Sequence, residues 1–160
     1  MYKKIFILFL ATTLFLLSSC TKESKFGVEQ FAHRMNSQFE YELDTAGFIL
    51  GKDENENNLL FYDIGASLIT LSLDNNNNIK GISLLSTDAQ SISETLSLFC
   101  DMCSVFTGND RETQKELFSS YQINEDTIKY ADNNSMITVG KYKYTFVSNS
   151  YSVTFFCDRI

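Results

Sequence analysis

The sequence predicts an α+β domain in which helices pack on one face of an antiparallel sheet, in the order α-β(3-5)-α-α-β(3-4). Three observations support this fold class. Segments with helical spacing of apolar residues separate two groups of segments in which apolar and polar residues alternate. Most links between the expected strands are too short to hold a crossover helix, which favours antiparallel neighbours. The chain shows no internal repeat, and about 140 residues suit one domain with one core.

The first helix is expected over Val28–Phe39. Its apolar residues recur at intervals of three and four, which places them on one face of a helix. The opposite face is polar, so we expect a helix with one buried side. The apolar stripe comprises Val28, Phe31, Ala32, Met35 and Phe39.

A first group of strands is expected after this helix. Alternation is clearest in Ser67–Leu73, where Ile69, Leu71 and Leu73 share one face, as in a strand with one buried side. Asp74–Asn78 predicts the following turn, because Asn and Asp tolerate left-handed backbone angles. The strands expected in this half are Tyr41–Leu43, Gly47–Leu50, Leu59–Gly65, Ser67–Leu73 and Ile79–Ser86.

Two helices are expected in the middle of the chain, over Asp88–Phe106 and Arg111–Tyr121. Thr87 and Gln90 fit a capping box at the start of the first. The apolar arc of this helix is wide, which predicts that it is covered on more than one side. Its polar side includes Asp101.

The last third of the chain returns to alternating segments. Tyr151, Val153, Phe155 and Cys157 share one face of the final segment, which is typical of a strand with one side in the core. The expected strands are Thr127–Ala131, Ser135–Gly140, Lys141–Ser148 and Tyr151–Cys157.

The N-terminus has the three parts of a secretory signal. Met1–Lys4 carries two positive charges, Ile5–Leu17 is apolar apart from two threonines, and Ser18 and Ser19 are small. A helix of that apolar length spans about 20 Å, short of the roughly 30 Å hydrocarbon core of a bilayer. The segment therefore predicts a cleaved signal peptide, and not a permanent membrane span.

The end of this segment, Leu17-Ser18-Ser19-Cys20, resembles the lipobox of bacterial lipoproteins, in which an aliphatic residue and two small residues precede a cysteine. The resemblance covers residues 1–20. It implies that the Cys20 thiol receives a diacylglyceryl group and that the chain is cut before Cys20. Because two acyl chains hold a protein stably on a bilayer, the resemblance implies an anchor at the extracytoplasmic face of a cell membrane.

These boundaries divide the chain into a signal peptide (1–19), a lipidated cysteine with a polar tether (20–26) and one α+β domain (27–160). The loss of Lys3 and Lys4 with the signal takes the formal net charge from −7 to −9. So negative a domain repels phosphate backbones, and nucleic acid is not an expected partner. It also gains nothing from anionic headgroups, so we expect the acyl anchor to hold it at the membrane.

Cys100 and Cys103 form a C-x-x-C motif. The pair lies about three turns into an expected helix, whereas a redox thiol needs the helix N-terminus to lower its pKa. A zinc site made from these two residues with Cys157 and His33 is disfavoured, because His33 shares no local spacing with the cysteines. No metal or other cofactor is expected, apart from the acyl group on Cys20.

A disulfide is the favoured interpretation of these thiols, because export removes them from cytosolic reductants. A bridge from Cys157 to Cys103 or Cys100 ties the last strand to the main helix. Closing a loop of more than fifty residues contributes about 3–4 kcal/mol in the chain-entropy model. The alternative is three buried free thiols.

Two segments, Asp53–Asn57 and Asp74–Asn78, begin with the D-x-N-x-N pattern of a calcium-binding loop. Neither has glycine at the sixth position or glutamate at the twelfth, which an EF-hand requires. Both segments are therefore interpreted as solvated turns.

The functional hypotheses follow from the anchor and from the lack of a recognisable catalytic motif. We expect a non-enzymatic lipoprotein that binds a protein, a peptide or a small ligand. One alternative is a cell-envelope enzyme with carboxylates in a cleft at the sheet edge, and another is a structural or assembly partner of an envelope protein. An exposed apolar or aromatic patch favours binding or assembly, whereas a cleft with clustered carboxylates favours an enzyme.

Overall fold

A computed structural model describes residues 25–87, 92–124, 134–149 and 151–160. The α+β class and the order of helices and strands that the sequence predicts are confirmed in this part of the chain. Its helices are α1 (Val28–Phe39), α2 (Ile92–Thr107) and α3 (Arg111–Ser120). Its strands are β1 (Ile49–Lys52), β2 (Asn58–Ile64), β3 (Ser67–Leu73), β4 (Ile79–Ser86), β5 (Asn134–Val139), β6 (Tyr142–Ser148) and β7 (Val153–Arg159).

All seven strands belong to one antiparallel sheet with the spatial order β1-β2-β3-β4-β7-β6-β5. The first four strands form a meander from one edge to the centre. The chain then passes through α2 and α3, and β5, β6 and β7 return from the opposite edge to the centre. There β7 pairs with β4, so the sheet consists of two meanders joined along one strand pair.

The core lies between the helices and one side of the sheet. Phe99 of α2 is at its centre and stacks on Phe118 of α3 and Phe155 of β7, with ring centroids 5.8 and 5.1 Å apart. Phe146 of β6 meets Phe155 edge-on at 5.4 Å. Aromatic pairs in these geometries stabilise a core beyond the apolar area that they bury, so the rings fix α2 and α3 to β6 and β7.

The bounds predicted for α1 are confirmed. Phe31, Ala32 and Met35 from its apolar stripe are buried. Glu40 follows the helix with φ of 60°, a left-handed conformation that ends the regular hydrogen bonding. The amphipathic pattern was thus sufficient to place this helix and its buried side.

The broad coverage predicted for α2 is also confirmed. This helix contacts α1, α3, β4 and β7, and every side chain from Leu98 to Phe106 is buried. The polar side is an exception to the sequence pattern, because Asp101 is only 2% exposed. Tyr41 and Arg111 contact its carboxylate and shield it from solvent.

The strand predicted over Tyr41–Leu43 is wrong, since these residues are irregular. The side chain of Asn36 forms hydrogen bonds with both backbone groups of Leu43. It donates to the carbonyl at 2.9 Å and accepts from the N–H at 2.8 Å. A side-chain amide therefore replaces a neighbouring strand. The strand predicted from Gly47 begins later, as β1, because a 3₁₀ turn occupies Thr45–Gly47.

The other described boundaries lie within two residues of the predicted ones, and those of β3 and β4 coincide with them. The predicted start of α2 at Asp88, the Gln90 of its capping box and the predicted strand Thr127–Ala131 lie outside the described residues. Cys20 and the whole signal segment also lie outside them.

The two D-x-N-x-N segments are turns with matching hydrogen bonds. In the second, Asp74 Oδ1 accepts from the backbone N–H groups of Asn76 and Asn78, both at 2.8 Å, and Asn77 has φ of 60°. Asp53 holds the first turn in the same way. Hydrogen bonds from the side chains of Asn57 and Asn78, together with those from the backbone, lower the pKa of both carboxyl groups. Each carboxylate is therefore committed to its own turn.

Candidate functional site

Consecutive residues of β7 face opposite sides of the sheet. Phe155 and Cys157 are fully buried beneath the helices, whereas Phe156 and Asp158 project to the other side and are half-buried. The helices of the described chain pack on the first side only, where the fully buried strand residues lie. We call the second side the open face.

Apolar side chains are present on the open face in all seven strands. The strand register aligns one row of residues from edge to edge, and its outermost members, Ile49 and Met136, are 67% and 62% exposed. This row contains Ile49, Phe61, Thr70, Ser83, Phe156, Thr145 and Met136. Further apolar residues on the same face are Leu59, Leu68, Leu85 and Val147.

A groove crosses the middle of the open face, along β3 and β4. Phe61 and Phe156 stand on strands three spacings apart, about 14 Å at the usual strand separation. The residues between them are small and leave a cavity of about 190 Å³ beside Phe156, whereas the Phe61 ring lies against Gly51 of β1. Its floor is formed by Thr70, Ser72, Gly81 and Ser83, and its sides by Leu59, Phe156 and Asp158.

Gly81 keeps the floor of this groove open. A Cβ atom at this position would collide with the carboxylate of Asp158 and with the Ser72 hydroxyl. A residue with a side chain here would displace these two polar groups, so glycine lets both keep their places.

Asp158 supplies the negative charge of the groove. Burial raises the pKa of its carboxyl group, and the nearby charges of Lys143 and Lys80 lower it in part. Lys143 lies directly opposite Asp158 in the β6–β7 register. A half-buried carboxylate of this kind favours a ligand that donates hydrogen bonds, because such donors replace the water that burial removes.

The chemistry of the groove suits binding. Its apolar sides accept an apolar group, and its hydroxyl and carboxylate groups accept hydrogen bonds from that group's polar end. Asp158 is the one carboxylate among the described residues that line it. Within that set, the groove therefore lacks the carboxylate pair that glycosidase-type acid–base catalysis requires.

The three cysteines predicted to form a bridge are all buried, and the structure holds them as free thiols. It brings Cys103 of α2 and Cys157 of β7 within hydrogen-bonding range. Burial and this contact raise the pKa of Cys103 well above its ordinary value. The disulfide stays a prediction, and of the two partners predicted for Cys157 the contact favours Cys103.

Cys100 faces a different environment. Its side chain lines a cavity of about 320 Å³ between α2 and α3, together with Lys115 and Phe118. Burial raises the pKa of its thiol to about 12, so it is a poor nucleophile at neutral pH. His33 is exposed on α1, and the described residues contain no cluster of three or more His, Cys, Asp or Glu side chains with metal-binding geometry.

Asp101 of α2 contacts α3 and the segment that follows α1 through charge and hydrogen bonding. The Tyr41 hydroxyl donates to Asp101 Oδ2 at 3.0 Å, and Arg111 Nε lies 2.7 Å from Oδ1 as a charge–charge contact. Arg111 also donates to the Ser97 hydroxyl. Burial raises the pKa of Asp101, and the Tyr41 hydrogen bond and Arg111 oppose that rise. Within the described residues, Asp101 Oδ1 and Arg111 Nε are buried without a hydrogen-bond partner, so their ion pair is the contact that offsets the burial of both atoms.

Comparisons with known proteins give no relative. No family model matches the chain, and neither a curated protein nor a solved structure matches it. Among the described residues, no helix has the length and apolar character needed to cross a membrane.

The sequence prediction named none of the residues of the groove. The signal that was available is the series of small residues at alternate positions of two neighbouring strands, Thr70 and Ser72 in β3 and Gly81 and Ser83 in β4. The missing information was that β7 pairs with β4. Those strands are far apart in the sequence, so local patterns do not show that Phe156 borders the same groove.

Proposed function

We propose that the chain is a membrane-anchored extracytoplasmic lipoprotein, and that its domain binds a protein or peptide through the open face of the sheet. The anchor rests on the lipobox-like sequence that ends at Cys20. The binding role rests on the open face itself. The domain carries out recognition and no chemical step.

The observation that carries this proposal is the apolar content of a sheet face over which the described chain places no helix. Isolated apolar residues on a protein surface are common, but apolar residues on the same face of all seven described strands favour an interaction surface. Phe61 and Phe156 provide the aromatic groups that often dominate binding energy. The exposed edge residues Ile49 and Met136 extend the apolar surface beyond the groove.

The groove indicates the chemistry of the partner. Its volume suits a side chain that projects from an extended segment, with an apolar part against Phe156 and a donor group at Asp158. The negative net charge of the chain also favours a partner of positive charge. We therefore propose a basic or amide-rich protein segment with apolar residues as the ligand.

Binding can be tested by affinity capture from the cell envelope that contains the protein. The Phe156→Ser variant removes the aromatic side of the groove without touching the covered face. Tyr151→Ser is the matched control, because Tyr151 is 84% exposed and lies before β7 begins. We expect a stoichiometric partner with the wild type and the control, and its loss with Phe156→Ser.

Two outcomes would contradict this assignment. Capture that Phe156→Ser leaves unchanged would place the binding surface elsewhere. Self-association that Phe156→Ser abolishes, measured by analytical ultracentrifugation, would identify the partner as a second copy of the chain. The anchor has its own test, since the intact mass of the membrane-bound protein should exceed that of the 20–160 polypeptide by a diacylglyceryl group.

A further inference from the structure

The tether enters the domain beside the last residues of β7. The carbonyl of Phe26 accepts a hydrogen bond from the N–H of Ile79 at 2.8 Å, and its ring packs against Phe31 and Phe106. Phe26 is buried, so the chain is fixed to the domain at this point. Residues 21–25 link it to Cys20, and five extended residues reach at most about 18 Å.

Basic side chains gather at this end of an otherwise acidic domain. The guanidinium groups of Arg34 and Arg159 lie 5.3 and 5.6 Å from the ring centroids of Phe26 and Phe106. Lys141 lies 5.6 Å from the ring of Tyr142. The basic end, as we define it, consists of Lys25, Arg34, Lys80, Lys141 and Arg159.

A cavity of about 300 Å³ opens within the basic end. Lys25, Lys80 and Arg159 line it. Asp74 is the side-chain carboxylate that lines it, and this group already accepts hydrogen bonds from its own turn, including the Asn78 side chain at 3.0 Å. Among the described residues, three cationic side chains thus share the cavity with the carboxylate of Asp74, which is committed to its own turn, and with Ile160, the last residue of the sequence.

The positive charge at the cavity lacks close partners. No carboxylate of the described residues forms an ion pair within 4.0 Å of any residue of the basic end. Arg159 Nε is buried and has no hydrogen-bond partner in the described part of the chain. Lys80 donates to Asn57 Oδ1 at a long 3.4 Å, and its charge lowers the pKa of Asp53 and Asp74 from a distance. A buried guanidinium N–H of this kind favours an anionic acceptor.

We propose that this cavity binds the phosphate of an anionic phospholipid headgroup in the membrane that carries the chain. The inference rests on the anchor in the proposed function, because the short tether brings the basic end to the headgroup region. Anchoring also makes the contact intramolecular in effect, so that a weak site is occupied at a high effective concentration.

This site gives the domain a fixed orientation. The basic end faces the membrane, and the remaining acidic surface is held away from anionic lipids. The proposed site would gain from anionic headgroups at this one end, although the net charge predicts that the chain as a whole gains nothing from them.

The experiment compares lysine acetylation rates in the processed, full mature protein reconstituted in nanodiscs. One set of discs contains phosphatidylcholine alone, and the other contains phosphatidylglycerol as well. We expect acetylation of Lys25 and Lys80 to slow by about fivefold in the second set, the factor equivalent to about 1 kcal/mol per basic residue at an anionic surface. Lys52 and Lys115, which pair with glutamates elsewhere, serve as internal controls with unchanged rates.

Variants test whether the cavity is responsible. Arg159→Gln should remove the lipid dependence at Lys25, whereas Lys115→Gln, which also removes one positive charge, should keep it. Lys80→Gln provides a second test if Arg159→Gln fails to fold. Equal rates in both sets of discs, or a lipid dependence that survives Arg159→Gln and Lys80→Gln, would overturn the proposal.

Two further measurements distinguish lipid phosphate from free phosphate and the cavity from the anchor. Slowing by inorganic phosphate in phosphatidylcholine discs would identify a site for free phosphate and overturn the lipid assignment. If intact mass shows that Cys20 is not acylated, the anchor fails, and the same rates are measured with added vesicles of both compositions. Slowing with phosphatidylglycerol vesicles would then still support the site, and equal rates would refute it.

Discussion

The two faces of the single sheet differ in what covers them. On the covered face, Phe99 and Phe155 lie in an aromatic core with no exposure to solvent. On the open face, Phe61 and Phe156 carry the same side chain, but their described contacts come from neighbouring strands. The alternation of a strand assigns residues to faces, but it does not say which face receives the helices. The difference supports the proposal that the open face, and not the covered face, serves recognition.

The contrast is sharpest along β7, where adjacent residues serve different faces. Phe155 is fixed by α2 and β6, and Phe156 borders the groove. Cys157 meets Cys103 in the core, and Asp158 carries the charge of the groove. Substitutions at neighbouring positions of this strand should therefore have separate effects on stability and binding.

The largest expected effect is the difference between Phe155→Ala and Phe156→Ala. Phe155→Ala empties a fully buried ring site and should lower the free energy of unfolding by about 3–5 kcal/mol. Phe156→Ala removes a half-buried ring and should cost about 1 kcal/mol. Urea denaturation of both variants measures the difference, and equal losses would contradict the assignment of the two faces.

The second effect concerns the covered face and its thiols. We propose that Cys103 and Cys157 form a disulfide in the exported protein, each thiol losing a hydrogen to an external disulfide oxidant. With Cys20 acylated as proposed, the unfolded mature chain should then show one reactive thiol, Cys100. Reduction should lower the free energy of unfolding by about 3 kcal/mol. Three reactive thiols would refute the bridge.

The third effect tests the charge buried under the helices. Asp101→Asn leaves Arg111 without its ion partner and should lower the free energy of unfolding by about 2 kcal/mol, less than for a fully buried pair because Arg111 is partly exposed. Glu112→Gln breaks the exposed Lys115 pair and should cost less than about 0.5 kcal/mol. Thermal unfolding of the two variants compares them, and similar losses would show that the Asp101 cluster contributes little.

The smallest effect is a pH dependence from the open face. Burial raises the pKa of Asp158 in the folded protein. The protonated carboxyl group therefore stabilises the fold at pH values below the ordinary aspartate pKa. This contribution is lost as the pH rises through the pKa of the folded protein. Asp158→Asn should remove this loss. Measured by urea denaturation across the acidic range, this variant should gain in stability relative to the wild type as pH rises.

Asp110 provides a control of opposite sign. Its carboxylate accepts from the Thr113 N–H at the start of α3, and this hydrogen bonding lowers its pKa. The resulting stability is present at neutral pH and lost as pH falls. Asp110→Asn should therefore lose stability relative to the wild type as pH rises, and a slope of the same sign as for Asp158→Asn would contradict the assignment of the two carboxylates.

Much of the fold could be predicted because its patterns are local. The spacing of apolar residues in Val28–Phe39 predicts a helix, and the alternation in Ser67–Leu73 predicts a strand. Each pattern is contained within a short segment of the chain. The irregular structure of Tyr41–Leu43 could not be predicted, because the side chain of Asn36 forms the hydrogen bonds of the Leu43 backbone. The burial of Asp101 could not be predicted, because it depends on Arg111 from another helix.

The candidate site depends on pairing between distant strands, and this is why the sequence did not reveal it. The groove needs β4 beside β7, and Gly81 next to Asp158. Alternation can say that Asp158 and Cys157 face opposite sides, but it does not give their neighbours. The same limit applies to the thiols, where the sequence left Cys100 and Cys103 as equal candidates for Cys157.

The most direct test of the binding role is hydroxyl-radical footprinting of the protein, first purified and then in its own envelope. We predict that Phe61, Phe156 and Met136 are oxidised in the purified protein and protected in the envelope, whereas Phe99 and Phe155 resist oxidation in both. Equal oxidation of Phe61, Phe156 and Met136 in the two samples would contradict the central claim that the open face is the binding surface.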